Sequence, residues 1–416
     1  MIAGVVAESG SRRGRRMLGA SASAAFAALV VGSNVPGSML PMYAERMSLS
    51  TFTVSALFAA YLVALVVTFT VMARTRLTRR AWLLLPAALV GGVVADAALI
   101  AGGDDVVFLF VGRFLTGTCV GVATGATATI AVAARGEKGR TIAASGAIFG
   151  SFVGLILGAV VAENFPGPTV TPYVIHMSLL VAIGVLLVIS LARARTLLRD
   201  ELGPGPLRTD GHADTSARAR AAGYGIGLAG WAIGGLAVGI LPTAVREQTG
   251  GTSLLVGVSA PIVLLLVAWL APLVFAARHT ALPPSVSLAL IALGAVACAA
   301  GVVSSRLELV VIGCLSWGLG QGFAYSCGLR LLTRGVSAVE QGRVASKYAS
   351  FCYGLTAILT LTTGAVSTGW GSATGMATAG AILVVLCSVV ALLGRGRWEN
   401  DGDNAVLMVR SQVGTV

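Results

Sequence analysis

The stretch VFLFVGRFLTGTCVGVATG, residues 107–125, decides the fold of this chain. It carries one charged residue, Arg113, in a run of apolar and small residues. A helix of about 20 such residues crosses the roughly 30 Å hydrocarbon core of a bilayer. Because backbone polar groups must be satisfied within lipid, a run of this kind has to be helical. The stretch therefore predicts a transmembrane helix with an arginine inside it.

Runs of the same kind fill the rest of the chain. Hydrophobic residues make up 56% of the 416 residues and charged residues 11%, a balance that a soluble globule of this length could not hide in its core. The sequence predicts an all-α membrane protein with twelve transmembrane helices in two six-helix bundles. The predicted spans are residues 18–42, 52–73, 81–102, 106–133, 141–162, 172–193, 222–245, 253–276, 283–304, 308–332, 346–367 and 373–394.

A polar stretch with Gly and Pro at positions 203–206 separates the two groups of spans, as is typical of a flexible linker. The two halves share short similarities: Leu40-Pro41 and Leu241-Pro242 are each followed, after three residues, by a pair of opposite charges. Such internal repetition favours two related bundles. The predicted domains are an N-terminal bundle (1–193), a cytoplasmic linker (194–221), a C-terminal bundle (222–394) and a cytoplasmic tail (395–416).

The net charge of +12 is unevenly distributed among the loops. Arg and Lys concentrate in the termini, the linker and alternate loops, and the opposite loops hold few of them. By the positive-inside rule, this predicts a multi-pass protein of the cell membrane with both termini cytoplasmic, and it makes nucleic acid an unexpected partner. All six cysteines lie in predicted spans without metal-ligand spacing. We therefore expect reduced packing cysteines, no metal and no cofactor.

The order of these features resembles the major facilitator superfamily of secondary transporters. The shared features are twelve spans, a cytoplasmic linker after the sixth, a basic loop after the second, and an arginine followed by spaced glycines in the fourth. The resemblance implies a cytoplasmic gate loop at VMARTRLTRR, residues 71–80, with Arg76, Arg79 and Arg80 as its basic residues. Here Val71, Thr75 and Thr78 replace the two glycines and the aspartate of the family's motif. The alternative is that these arginines only fix orientation and meet lipid phosphates.

Glycines recur every four residues in the fourth and fifth predicted spans. This spacing places them along one helix face, where a neighbouring helix can approach closely. Static packing is one interpretation, and smooth faces that slide in a rocking transporter are the other. The fifth span also resembles the antiporter signature of the family, although Leu155 stands where that signature has proline. The glycines are Gly117, Gly121 and Gly125 in the fourth span and Gly146, Gly150, Gly154 and Gly158 in the fifth.

Arg113 lies about 10 Å inside the outer end of its span, counted at 1.5 Å per residue. It could reach the interface by snorkelling, but Asp96 lies at similar depth on the preceding span. Because a lone charge in lipid is costly, we predict that Arg113 pairs with an acid inside the bundle, first of all Asp96. Glu163 and His176 lie near the outer ends of the fifth and sixth spans, and histidine changes charge near neutral pH.

The family resemblance implies that Arg113 takes part in proton coupling. A static ion pair that orients two helices is the alternative. The first span carries no acid, and Asn34 is its most polar side chain, so a coupled proton would have to use the acids and the histidine of other spans.

Aromatic and amide side chains in the seventh and tenth spans indicate a solute cavity poor in fixed charge, which suits a lipophilic solute. The candidate cavity residues are Asn34, Trp231, Trp317, Gln321 and Tyr325. No span or loop gathers the residues of an enzyme active site, and no sizeable soluble domain indicates a sensor. The sequence therefore predicts a monomeric transporter working by alternating access, with proton-coupled efflux of a drug or secondary metabolite. Proton-coupled import of a small organic solute is the nearest alternative, and a membrane sensor or membrane enzyme is the alternative from another class.

Overall fold

The computed structural model describes residues 2–75, 77–135, 137–194, 216–251, 253–278, 280–333 and 338–395. All regular secondary structure in these residues is helical. Six long helices precede the undescribed residues 195–215: α1 (Ile2–Arg46), α2 (Thr51–Arg74), α3 (Ala81–Ala101), α4 (Val106–Arg135), α5 (Glu137–Asn164) and α6 (Thr171–Arg193). A short 3-10 turn, Leu77–Arg80, joins α2 to α3.

Seven helices follow the undescribed stretch. They are α7 (Ala217–Gly239), the short α8 (Leu241–Thr249), α9 (Leu254–Ala277), α10 (Pro284–Val303), α11 (Leu307–Thr333), α12 (Ala338–Trp370) and α13 (Ser372–Gly394). All of the described helices except α8 contain a segment long and apolar enough to cross a membrane, which gives twelve candidate spans in the described part of the chain. The predicted all-α class and the twelve spans are confirmed.

Large apolar side chains are exposed along the outer faces of these helices. On α6, Val181, Val185 and Leu186 are each more than half exposed. Contiguous exposed apolar surface of this extent is unfavourable in water but suits contact with lipid. The chain is therefore a multi-pass membrane protein.

The predicted seventh span, residues 222–245, is wrong at its C-terminal end. α7 ends at Gly239, and α8 begins two residues later with Pro242 in its first turn. Proline has no N–H to donate to the carbonyl four residues earlier, and its ring clashes with that carbonyl, so the helix breaks here. Pro41, the matching proline of the repeat, lies inside the continuous helix α1.

The chain divides into two compact units, with boundaries at Pro36/Gly37, at Leu62/Val63 and after residue 194. The first unit contains the N-terminal part of α1, the C-terminal part of α2, and α3 to α6; within it α3 packs against α4 and α6. The second unit contains the remaining parts of α1 and α2 with α7 to α13, and α11 packs on α7, α9 and α10. The predicted linker lies mostly outside the described residues, and the predicted domain division remains a prediction.

Candidate functional site

Two ionisable side chains meet in the interior of the first unit. Asp96 on α3 and His176 on α6 are each only 2% exposed, and Nδ1 of His176 lies 2.6 Å from Oδ2 of Asp96. The other ring nitrogen, Nε2, lies 2.9 Å from the backbone carbonyl oxygen of Ala28 on α1. The imidazole therefore connects three helices through two hydrogen bonds.

Gly32 on α1 makes room for the imidazole. A Cβ atom at this position would overlap the ring of His176. One turn further along α1, Pro36 has no N–H, which leaves the carbonyl of Gly32 without its usual helical donor. The sequence of α1 thus provides a smooth, locally weakened helix face against which the buried pair packs.

The partners of the imidazole limit where its protons can be. A carbonyl oxygen only accepts hydrogen bonds, so Nε2 must carry a proton to donate to Ala28. The contact between Nδ1 and Asp96 needs one more proton, either on the ring or on the carboxyl group. Loss of the shared proton leaves a neutral imidazole with a single N–H, which can donate to Asp96 or to the carbonyl of Ala28 but not to both. Deprotonation of the pair therefore breaks one of the two hydrogen bonds of the imidazole.

Arg113 also reaches the backbone of α1. It is 1% exposed, and its guanidinium donates a hydrogen bond of 2.6 Å to the carbonyl oxygen of Ser33. The side chain is turned into the protein, which excludes the snorkelling interpretation. Arg113 and His176 thus hold α1 at carbonyls five residues apart.

The structure gives Asp96 a partner that the sequence analysis did not select, His176, although both were among the candidates. The proposed Arg113–Asp96 pair is not tested by the contacts described above and stays a prediction. Glu163, the other acid predicted as a candidate partner of Arg113, is exposed near the C-terminal end of α5.

The glycines of α5 allow α1 and α5 to pack closely. A Cβ at Gly150 would lie 2.6 Å from the backbone oxygen of Ala27, and one at Gly154 would overlap the backbone oxygen of Val31. Gly146 has more room, with 3.5 Å to the Cβ of Ala27. On α4, a Cβ at Gly121 would lie 2.8 Å from the side chain of Thr68 on α2. Of the remaining predicted packing glycines, Gly117 and Gly158 are buried and Gly125 is half-buried.

Asn34 lies on α1, half-buried, beside the glycine face of α5. Its amide nitrogen donates to the carbonyl oxygen of Val30 and to the hydroxyl of Ser33, both at 3.0 Å. These bonds occupy the donor end of the amide within its own helix. Asn34 belongs to the first unit, whereas the other four candidate cavity residues belong to the second.

A cluster of aromatic rings lies in the second unit where α7, α11 and α12 meet. Trp231 stacks on Tyr353 with ring centroids 4.8 Å apart and meets Tyr325 edge-on at 5.1 Å. Tyr325 also contacts Tyr348 at 5.0 Å, and the Tyr348 hydroxyl donates to the carbonyl oxygen of Tyr325. Trp231, Tyr325 and Tyr353 are half-buried, so one side of the cluster remains open.

Gln321 lies beside this cluster, one turn before Tyr325 on α11. Its Nε2 lies 3.3 Å from the position of a Cβ at Gly234, one turn after Trp231 on α7. The indole Nε1 of Trp231 and the amide Oε1 of Gln321 are both buried, and neither has a hydrogen-bond partner among the described residues. A buried donor and a buried acceptor therefore lie unused around the same helix contact.

Trp317 is a correction to the predicted cavity. It is fully buried between α10 and α11, and its indole N–H donates to the carbonyl oxygen of Ile291 at 3.0 Å. Its donor is satisfied and none of its surface is exposed, so it packs two helices together and does not line a cavity. The sequence analysis missed Tyr348 and Tyr353; the aromatic spacing in YASFCY, residues 348–353, was the signal that could have found them.

The predicted cytoplasmic gate loop is only partly described. Arg76 lies outside the described residues, as does the side chain of Arg79. Arg80 ends the 3-10 turn before α3 and is exposed.

Burial of the cysteines agrees with a packing role for sulfur. All six cysteines are buried and free. Among the described residues, no group of three or more His, Cys, Asp or Glu side chains could hold a metal ion.

Comparison with protein-family models matches residues 21–361 to the Major Facilitator Superfamily. No curated protein matches the chain significantly. Among solved structures, the POT family transporter PepTSo is similar with a TM-score of 0.66 and 12% identity, over 90% of this chain and 97% of that one. A bacterial homologue of the human lysosomal transporter Spinster, solved in an inward-facing and occupied conformation, gives 0.65 and 12%, over 91% and 96%. The nucleoside transporter NupG gives 0.62 and 11%, over 92% and 100%. At these identities the likeness shows the fold.

Proposed function

The chain belongs to the Major Facilitator Superfamily and is a secondary transporter, and we propose that it couples proton movement to the export of a small lipophilic compound by alternating access. The observation that carries the proposal is the buried Asp96–His176 pair. Ionisable groups inside transmembrane segments are costly, and in transporters they mark proton relays.

The geometry of the pair supports a link between protonation and helix movement. Loss of one proton from the pair breaks one of the two hydrogen bonds of the imidazole, because the neutral ring has a single N–H for two acceptors. The imidazole also holds the carbonyl of Ala28, and it fits only because position 32 is glycine. Release of the ring therefore changes how tightly α1 is held against α3 and α6. Such a two-state contact is what a coupling step requires.

Arg113 has a supporting role in this proposal. Its bond to the carbonyl of Ser33 fixes α1 beside the segment that His176 holds. The resemblance to the family favours a coupling role, and a static orienting role is the alternative. Exchange of the two charges tests the predicted pair. If Arg113 forms an ion pair with Asp96, the single variants Arg113→Asp and Asp96→Arg should each impair transport. The double variant should then recover part of the transport. If the double variant recovered no transport, the Arg113–Asp96 ion pair would play no part in coupling.

The solute is proposed to be lipophilic because the open aromatic cluster contains no charge. The three helix segments that form the cluster include no Asp, Glu, Lys or Arg; they are residues 221–239, 309–329 and 348–370. Aromatic surface with few polar groups is typical of pockets for apolar or amphipathic molecules. Outward transport is proposed, and proton-driven import of a small organic solute is the competing outcome of the test below.

We also propose a location in the cell membrane, a monomeric state and cytoplasmic termini. Exposed basic residues lie at the helix ends that the positive-inside rule places in the cytoplasm: Arg74, Arg80, Arg193, Arg278 and Lys347. A C-terminal alkaline phosphatase fusion should be inactive, since that enzyme requires an oxidising compartment.

The decisive experiment uses everted membrane vesicles that contain the full chain. With the vesicle interior acidified, the vesicles should accumulate the neutral lipophilic probe carbostyril, and the cation ethidium serves as a comparison. Collapse of the pH gradient should abolish the accumulation. Accumulation that ignores the gradient would disprove proton coupling, and accumulation only with the opposite gradient would establish import.

The control variant in this assay is Ser178→Ala. Ser178 lies on α6 two residues after His176, is exposed, and bonds only the carbonyl of Val174 in the contacts described here. His176→Gln should lose the response to the gradient, whereas Ser178→Ala should keep it.

A further inference from the structure

The aromatic cluster of the second unit has two polar atoms that its own side chains do not use. Buried polar atoms in proteins are nearly always hydrogen-bonded, and an unsatisfied one costs free energy. Within the described residues, Nε1 of Trp231 and Oε1 of Gln321 have no partner. A ligand that offered a partner to each would recover that cost.

These two atoms belong to one location. Trp231 and Tyr325 are in ring contact across α7 and α11. Gln321 lies one helical turn from Tyr325, on the same face of α11, and its amide nitrogen lies 3.3 Å from the position that a Cβ would take at Gly234 on α7. Gly234 in turn lies one turn from Trp231 on α7. The donor and the acceptor therefore flank the same contact between the two helices.

The shape of the location is set by rings. Trp231 and Tyr353 are stacked with 29° between their planes, and Tyr325 stands at 64° to the indole. Aromatic side chains bind flat conjugated molecules by stacking on a face or meeting an edge. The half-buried state of these three rings leaves part of their surface open to such a molecule.

We infer that Trp231 and Gln321 bind a flat, uncharged, conjugated ring that carries a carbonyl oxygen beside an N–H or O–H group. The carbonyl accepts from the indole N–H of Trp231, and the N–H or O–H donates to Oε1 of Gln321. This inference rests on the proposed transport function and names the solute class for it: cyclic amides and hydroxy-ketones of fused rings, and not lipophilic ions.

The charge pattern excludes an ionic recognition group at this location. The helix segments around the cluster contain no acidic or basic residue. Selection between solutes must therefore come from the two hydrogen bonds. A site built to bond a polar group discriminates against an analogue that lacks it, because its own buried group is then left unpaired.

The test is a binding measurement on the full chain in lipid nanodiscs, with empty nanodiscs as the blank. Carbostyril is a flat bicycle with adjacent C=O and N–H groups, N-methylcarbostyril lacks the donor, and naphthalene lacks both groups. We expect carbostyril to bind most tightly. One hydrogen bond is worth about a two- to tenfold change in Kd, so each missing group should weaken binding by that factor.

Two substitutions assign the contacts. Trp231→Phe keeps a ring but removes the N–H, and should weaken carbostyril two- to tenfold while naphthalene binding stays unchanged. Gln321→Met keeps the length but removes the amide, and should weaken carbostyril but not N-methylcarbostyril. The control is Trp370→Phe, because Trp370 is 73% exposed at the end of α12 and should affect none of the probes.

Naphthalene binding shows that a variant is folded, so loss of carbostyril binding alone is informative. Equal weakening of naphthalene and carbostyril by Trp231→Phe would overturn the inference, as would equal affinity of the normal chain for all three probes. Neither result bears on proton coupling. Conversely, gradient-independent transport in vesicles would refute the proposed coupling while leaving these binding ratios intact.

Discussion

The two units are built around different chemistry. In the first, Asp96, His176 and Arg113 are buried, and the latter two bind backbone carbonyls of α1. In the second, the region where α7, α11 and α12 meet contains rings and a neutral amide. A titratable interior responds to protons, whereas a neutral aromatic interior responds to the shape and hydrogen-bonding groups of a solute. Both units are built from long apolar helices, and they differ in the chemistry of the side chains in their interiors.

The largest expected effect comes from the buried acid. Asp96→Asn keeps the size of the side chain but removes its ionisable group, and it should reduce gradient-driven accumulation in vesicles at least about tenfold, because a proton relay needs an ionisable group at this position. Carbostyril affinity should not change. If Asp96→Asn weakened carbostyril binding as strongly as it weakened accumulation, the assignment of solute binding to the second unit would be wrong.

A matched pair of glycine substitutions compares the units directly. Gly32→Ala places a methyl group in the ring of His176, and overpacking of this kind costs about 1–3 kcal/mol. Gly234→Ala meets only the movable end of Gln321 at 3.3 Å, and alanine gains up to about 1 kcal/mol over glycine in a helix. In thermal unfolding experiments in detergent, the unfolding temperature should therefore fall clearly for Gly32→Ala and stay nearly unchanged for Gly234→Ala. A similar fall in unfolding temperature for both variants would mean that the packing of His176 against Gly32 is no tighter than the packing at Gly234.

Tyr348→Phe tests the rigidity of the aromatic cluster. It removes the hydroxyl that donates to the carbonyl of Tyr325 and keeps the ring contacts. The stability lost should be about 0.5–1.5 kcal/mol, near the lower end inside a membrane protein. The gradient response should be unaffected, and a change in it would connect the cluster to the proton site.

The smallest effect is expected at an exposed acid. Glu45, whose side chain is 64% exposed, forms an ion pair of 2.9 Å with the buried Arg246 on α8, which also donates to the carbonyl of Gly251. Glu45→Gln should cost less than about 1 kcal/mol, and the difference should shrink as salt is added. A loss of more than about 3 kcal/mol in thermal unfolding, the size expected when one partner of a buried pair is removed, would show that exposure of Glu45 does not weaken its ion pair.

The fold could be predicted from the sequence because span length and apolar composition are local properties. The helix count, the all-α class and the close packing at Gly150 and Gly154 all follow from runs and spacings within single segments. The break before Pro242 was missed because the apolar run continues past Gly239, where helix α7 ends. The same sequence motif at Pro41 leaves α1 continuous, so packing around the proline decides the outcome.

The side-chain partners could be predicted only in part. Asp96, His176 and Arg113 were recognised as unusual because charge is rare in transmembrane segments. Which of them touch depends on how each helix is rotated about its axis, and periodicity alone does not fix that rotation. Trp317 and Trp231 illustrate the same limit, because both are tryptophans in apolar helices. Trp317 is buried between two helices, whereas Trp231 is half-buried in the aromatic cluster and its indole N–H has no partner among the described residues.

The contacts to α1 have a consequence for how this protein can vary in evolution. Arg113 and His176 bind carbonyl oxygens at positions 33 and 28, and every amino acid supplies a carbonyl. Drift at these two positions therefore leaves both bonds available, provided that glycine remains at position 32. Among relatives, substitutions at residue 96 should covary with substitutions at residue 176, whereas positions 28 and 33 should show no covariation with either. A search that relies on covariation would find the buried pair and overlook the helix that it holds.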